Sequence, residues 1–247
     1  MIILKNAGRF EIIPYPGLTP QEDLVGQLLG IERAGRTCYQ SERGEINIES
    51  ATKFVRMLLE PKRRHESVLE HGVMKVKFFN VSRGLTHELV RHRLASYSQE
   101  STRYVDYLVR GEGPNLKGFE LRCVVPPHRD ENETVQLEDG RSMSPVDMFK
   151  DIEMFYRALR LADWSPEDAR QVLPTALKSE IVVTANFREW RHILRMRTQK
   201  AAHWEIRSVM CDLLEELKTI VPVLFEDFVL AGEDKWGLRY YEQRSLS

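Results

Sequence analysis

Ile206, Val209, Met210, Leu213, Leu214 and Leu217 recur at the three- and four-residue spacing of an α-helix, so the stripe they form has to be covered by another apolar layer. Other runs can supply it. Ile2 to Leu4, Phe10 to Ile13 and Ile181 to Thr184 are short and β-prone, and Val73 to Phe79 alternates apolar residues with lysine as a half-buried strand does. Thr19-Pro20-Gln21-Glu22 provides an N-cap, a first-turn proline and a capping-box glutamate for a helix through Leu24, Leu28 and Ile31. A second helix spans roughly Glu49 to Glu60 and stops before Pro61, and Pro145 to Leu161 is also helical. Ser165-Pro166-Glu167-Asp168 opens a short helix that ends before Pro174. Asn186 and Glu189 have capping-box spacing for a helix to about Arg197, and Ser82 can cap a short one ending near Arg93.

At 247 residues and 42% hydrophobic, the chain can bury a sizeable core. From Arg110 to Met143 the periodicity breaks: Gly111, Gly113, Pro114, Gly118, Pro126, Pro127 and the polar run Asp130 to Arg141 predict loops around one strand, Phe119 to Val125. The flanking helices are too short for independent cores, so this is a loop-rich insertion within a single domain, residues 1–247. With 36 basic and 37 acidic residues the net charge is -1, which disfavours a general nucleic-acid or membrane-surface role and makes any anion binding local. No basic leader with an apolar stretch opens the chain and no run of apolar residues is long enough to span a bilayer, so a cytoplasmic protein is expected. Cys38, Cys123 and Cys211 are widely spaced in apolar contexts and read as buried thiols of a reducing compartment.

The segment Arg91-His92-Arg93-Leu94-Ala95-Ser96-Tyr97-Ser98-Gln99-Glu100-Ser101-Thr102-Arg103-Tyr104 sets cations beside small hydroxyls, the chemistry of a site for a phosphorylated small molecule. On a regular helix continuing through Arg93, successive side chains diverge by about 100°, so Arg91, His92 and Arg93 cannot meet one compact phosphate. They can surround an extended polyanion or face two ligands. Taken alone, such a triplet is more often a solvated helix end, with Glu88 reaching His92 at i+4. Beyond Leu94 an extended backbone is expected, and period-2 alternation places Gln99, Ser101 and Arg103 on one side, where an amide, a hydroxyl and a guanidinium can hold a phosphate and read a base edge.

Arg91-His92-Arg93, seven residues and then Ser101 resemble the RHR(x)7S signature of the flavin-dependent thymidylate synthases, the ThyX family. Further blocks agree in order and content: His65-Glu66-Ser67-Val68-Leu69-Glu70-His71, Thr86-His87-Glu88-Leu89, Arg170-Gln171-Val172-Leu173-Pro174, Asn186-Phe187-Arg188-Glu189-Trp190 and Arg195-Met196-Arg197. The resemblance implies an α+β (mixed α/β) protomer with a central antiparallel or mixed sheet flanked by long helices. It also implies a homotetramer with shared active sites, in which arginines diverging on one helix address two ligands once another subunit closes the pocket. The implied reaction is reductive methylation of dUMP to dTMP, with 5,10-methylenetetrahydrofolate as one-carbon donor and NADPH as reductant through bound FAD.

Carried over by resemblance, the FAD contacts are Ser67, Arg91, His92, Arg93, Gln99, Asn186, Phe187, Arg188 and His192. The dUMP site takes Glu88, Leu89, Val90, Arg91, Gln99, Glu100, Ser101, Thr102 and Arg103, with Arg170 reaching it from a neighbouring subunit and Arg83 as a further cation. Arg197 also meets dUMP and is the catalytic residue, favouring ionisation at N3 of the uracil; a permanently charged guanidinium stabilises negative charge developing there. The bland readings are Ser67 and Asn186 as helix caps, Arg188 and His192 as a polar helix face, and Arg197 as a cation at a helix C-terminus. Ser101 lacks a base held by an orienting group and is assigned to binding, while the contexts of Cys123 and Cys211 read as core and Cys38 as packing.

Two other classes compete. A metal site drawn from His65, Glu66, Glu70 and His71 fails because two histidines six apart on a helix point about 240° apart, and no metal is expected. A nucleic-acid module would stack bases on Tyr97, Tyr104 and Tyr107, against the overall charge balance.

Overall fold

Side-chain caps open several of the helices in the computed structural model, which describes residues 1–41, 44–60, 65–108 and 119–244. β1 (Ile2–Leu4) and β2 (Arg9–Ile13) precede α1 (Pro20–Tyr39), where Thr19 and Glu22 close the expected capping box. α2 (Ile48–Leu59) starts on a second box between Asn47 and Ser50 and buries Ala51, Val55 and Leu58. A 3₁₀ turn, Glu66–His71, leads into β3 (Val73–Ser82), followed by α3 (Arg83–Leu89) and β4 (Ala95–Gln99).

α3 ends before the Arg93 boundary expected from the sequence. The Leu89 carbonyl accepts from the His92 N–H at 3.1 Å and from the Tyr97 hydroxyl at 2.9 Å, a tighter turn plus a side chain where a longer helix would have used the N–H of Arg93. Arg91 and Arg93 therefore sit in turns, not on helix positions diverging at a fixed angle.

β5 (Arg122–Val124) pairs parallel with β1. β6 (Val135–Gln136) and β7 (Ser142–Met143) close a short antiparallel hairpin whose connection holds Gly140 at φ +85°. Among its described residues the insertion carries three short strands where one was expected; Gly111, Gly113, Pro114 and Gly118 lie outside them. α4 (Pro145–Leu161) has the expected bounds, and α5 (Pro166–Ala169) runs on as a 3₁₀ turn to Val172. β8 (Lys178–Asn186), α6 (Phe187–Arg197) and α7 (Trp204–Ile220) follow. β9 (Phe228–Glu233) and β10 (Arg239–Gln243) form a final antiparallel hairpin that periodicity does not reveal, because its register shifts between Tyr240 and Tyr241.

The fold is α+β, and its four-stranded antiparallel sheet has the order β2-β3-β8-β4. The chain divides into two compact units: Met1–Arg9, Phe79–Glu88 and Ser98–Ile181 in the first; Phe10–Phe78, Leu89–Tyr97 and Val182–Ser247 in the second. The first unit's core gathers Tyr107, Leu121, Cys123, Tyr156, Ala169 and Leu177, with the two tyrosine rings edge to face. In the second, α1 packs on α2 and α7, and α7 on α6. Here the opening stripe does what its spacing requires: Ile206, Met210, Leu213, Leu214 and Leu217 are fully buried, each contributing about 1.5–3 kcal/mol relative to exposure. Trp190 on α6 is equally buried and donates from its indole to the Met74 carbonyl at 2.9 Å. Among the described residues, no helix is long and apolar enough to cross a membrane.

Candidate active site

α6 organises the second unit's polar cluster. Its first residue is fixed by a close approach: the Phe187 N–H donates to the Gly72 carbonyl at 2.9 Å, and a Cβ at Gly72 would lie 2.4 Å from the Phe187 ring. Only glycine fits there without displacement. Asn186 then caps the helix, its Oδ1 accepting the Glu189 N–H at 2.8 Å. Glu189 and His192, three residues apart, share a face of the helix, and Arg197 is its last residue.

Against this face lies the basic turn. Arg91 and Arg93 are exposed, whereas His92 is buried. Arg197 Nε donates to His92 Nε2 at 2.9 Å, and His92 Nδ1 lies 3.7 Å from Glu189 Oε1. The His92 and His192 rings meet edge to face with centroids 5.5 Å apart, and Arg195 Nη2 lies 2.9 Å from His192 Nδ1. Arginine only donates, so each histidine presents an acceptor nitrogen to its arginine and, when neutral, carries its proton on the other nitrogen. Burial raises the Glu189 carboxyl above its ordinary pKa, partly opposed by His192. Tyr97 braces the turn with its hydroxyl 2.6 Å from the His92 carbonyl and 2.9 Å from that of Leu89, and burial pushes its pKa up to about 12.

Ligand atoms of His92, Glu189 and His192 lie within 4.8 Å of one another, the spacing of a two-histidine, one-carboxylate metal set. The arginines argue otherwise. His92 Nε2 and His192 Nδ1 each face a guanidinium, and permanent positive charge beside both rings favours an anion or a carbonyl oxygen over a cation. Among the described residues, this cluster and not the His65 to His71 string has metal-like spacing.

A cavity of about 530 Å³ opens beside it, lined among others by Glu66, Leu94, Asn186, Arg188, His192 and Arg195. Arg188 pairs with Glu70 at 2.6 Å, so it enters the cavity already partnered. Ser67 is exposed on the adjoining 3₁₀ turn, while the Phe187 ring is wholly in the core and can offer a ligand only its backbone. Two lining residues escape sequence reasoning. Gln243 comes from the unread final hairpin, and Arg191, buried in a bidentate pair with Asp227 at 2.9 and 2.6 Å, gives no local signal of its distant partner.

The first unit holds the other expected positions. β4 stops at Gln99, whose amide donates to Thr86 Oγ1 at 2.8 Å and Ser179 Oγ at 3.2 Å. The row Gln99, Ser101 and Arg103 does not continue as a strand: the N–H groups of Tyr104 and Val105 fold back onto the Ser101 carbonyl, and Arg103 turns out to an exposed pair with Glu167 at 3.1 Å. Thr102 is buried and accepts from Arg170 Nη1 at 3.4 Å. Arg83 donates to the Glu100 carbonyl at 3.4 Å, and Lys178, missed because β8 begins earlier than its β-branched run, bonds the Glu100 carboxylate at 2.9 Å. Glu88 is half-buried in this unit, while Leu89, buried, and Val90, exposed, belong to the second. The thiols of Cys123 and Cys211 are buried and pushed up to about 12 by that burial, so neither is a ready nucleophile. Cys38 is exposed, contrary to the expected packing role.

The family model for thymidylate synthase complementing protein matches residues 25–223. A flavin-dependent thymidylate synthase of Mycobacterium avium is 34% identical over 90% of this chain and 87% of its own length, and one of Corynebacterium efficiens is 35% identical over 88% of each. Among solved structures, the fold resembles a UMP/dUMP methylase PolB from Streptomyces cacaoi bound with 5-Br dUMP, at TM-score 0.63 and 22% identity, covering 92% of this chain and 96% of that one. It also resembles thymidylate synthase X from Helicobacter pylori with FAD and dUMP, at TM-score 0.58 and 20% identity over 89% and 98% of the two chains. With the family model over most of its length and relatives above 30% identity over nearly all of it, the chain belongs to the flavin-dependent thymidylate synthases.

Proposed function

We propose that this chain, acting as one catalytic domain, methylates dUMP to dTMP using the methylene of 5,10-methylenetetrahydrofolate and electrons from NADPH. The observation that carries the reading is the 2.9 Å bond from Arg197 to His92, which joins the arginine-rich signature to a residue 105 positions away. Arg197 provides a fixed positive charge for negative charge developing at N3 of the uracil, held to one direction by its histidine acceptor. Gln99, Ser101, Thr102, Arg103 and Arg170 hold the nucleotide, with the charged groups suited to its phosphate and the amide to its base. Glu88, Glu100 and the turn from Leu89 to Arg91 border it.

The donor set beside α6 fits FAD. Arg188 and the imidazole of His192 suit an anionic diphosphate and the carbonyl edge of a flavin, and the 530 Å³ cavity they line can seat much of such a ligand. Ser67, Arg91, Arg93, Gln99, Asn186 and the Phe187 backbone complete the set that would hold it. When bound, FAD supplies reversible two-electron transfer from NADPH to the nucleotide. The protein's part is to orient, to exclude water and to stabilise charge; with both buried thiols protonated, neither Cys123 nor Cys211 attacks the uracil. Subunits associate as a homotetramer in the cytoplasm, each active site drawing on more than one chain.

Purified protein is expected to be yellow with a flavin spectrum that NADPH bleaches. Adding dUMP with methylenetetrahydrofolate should restore the colour and yield dTMP. Recovery of colour with no dTMP would refute the synthase reading and leave a flavin oxidase.

A further inference from the structure

Glu189 reads in the sequence as the capping-box partner of Asn186, and the resemblance assigns it no ligand contact. In the structure its carboxylate faces His92 instead. Both side chains are nine-tenths or more buried, at 6% and 7% relative exposure. The separation of 3.7 Å between Glu189 Oε1 and His92 Nδ1 is longer than a hydrogen bond, and the interaction is electrostatic, in a setting where water screens little. On its other side His92 accepts from Arg197. The His92 ring also meets that of His192, itself held by Arg195, edge to face, and the Tyr97 hydroxyl lies on the His92 carbonyl.

These contacts bear on where the imidazole proton sits. With the proton on Nδ1, its positive end faces the carboxylate and the Nε2 lone pair faces the arginine N–H. Moving the proton to Nε2 turns both contacts repulsive: a lone pair would face the carboxylate and an N–H would face an N–H. The tautomer is thus fixed from two ends, and the direction of the Arg197 guanidinium depends on it.

We propose that Glu189 is a positioning residue for the reaction: by holding the His92 proton on Nδ1 it keeps Nε2 as the acceptor that aims Arg197. This rests on the role given to Arg197 above. Arg197 touches substrate in that reading; Glu189 acts through His92.

The test combines turnover with the nitrogen chemical shifts of His92, read in ¹⁵N-histidine-labelled holoenzyme at pH 8 and assigned with a His92→Gln sample. Wild-type protein is expected to show protonated Nδ1 and unprotonated Nε2. An Nε2-protonated ring or an imidazolium in the wild type would overturn the proposal without recourse to any variant. Glu189→Leu removes the charge while keeping bulk; His92 should then populate both tautomers, and kcat should fall about ten- to hundredfold with FAD content and KM for dUMP little changed. Glu189→Gln, whose amide oxygen can still face Nδ1, should restore the tautomer and most of the rate. A folded Leu variant with unaltered shifts and unaltered kcat would make Glu189 merely structural. Full turnover in Arg197→Ala would instead remove the reading beneath the proposal, and since the shifts are read independently of catalysis, the two failures can be told apart.

Discussion

Arg197 sits half-buried at the end of α6 with its Nε–H committed to His92, which fixes the direction of its planar guanidinium. Replacing it with alanine should leave bound flavin in place and lower dTMP formation by roughly 10²–10³-fold, the scale of losing one preorganised group at a developing charge; flavin absorbance and product assay on the same sample check both halves. Glu189 carries a pH prediction. Burial raises its folded carboxyl above the ordinary 4.5, so between 4.5 and the folded value the native state keeps a proton that the unfolded chain has released. Stability therefore falls as pH rises through that window, and the penalty is complete above it. Glu189→Gln has no such penalty and should melt higher than wild type at pH 8, the gap closing toward pH 4.5; a constant gap across the range would exclude this origin. The signature arginines, His92 and Arg197 were legible as residues because they lie in short blocks. Glu189 was misread, because an i, i+3 spacing cannot tell whether a carboxylate turns back to its own cap or out to a distant turn. Lys178, Arg191 and Gln243 had no local signal for the same reason.

At the scale of elements, α6 is held by more than its cap. Arg191 projects from it into a buried pair with Asp227, and Gln243 of β10 donates to the same carboxylate at 2.7 Å. The Tyr241 N–H reaches the Thr198 carbonyl at 2.9 Å, at the helix's other end. Asp227→Ala would strand a buried guanidinium and should cost about 3–5 kcal/mol, measurable in urea unfolding; a loss under about 1 kcal/mol would mean that Arg191 finds solvent. α1, α5 and α6 open on side chains whose start signals were read directly in the sequence, Thr19, Ser165 and Asn186, because such signals are local. The end of α3 was not, since Tyr97 from a later strand decides it. β6 and β7 have two residues each, too few for a period, and the bulge in β10 interrupts the alternation that would have marked the last hairpin.

For the whole molecule, the chain interleaves its two compact units, entering the first three times. No linker composition marks such a division. The family reading adds association: light scattering on active enzyme should give four times the chain mass, and full turnover by a stable monomer would exclude shared sites. Fold class was legible through the family resemblance, and apolar periods of two and 3.6 along the chain agree with it; the division into units depends on long-range packing, which no single window contains.

Tyr97 sets the shape of the basic turn before any ligand arrives. One phenolic proton shared between the Leu89 and His92 carbonyls holds the turn that presents Arg91 and Arg93, so capture of an anion need not first freeze a wandering loop. The saving belongs to association: recognition here should be fast and nearly lock-and-key, with the conformational entropy of the turn already surrendered when the protein folded.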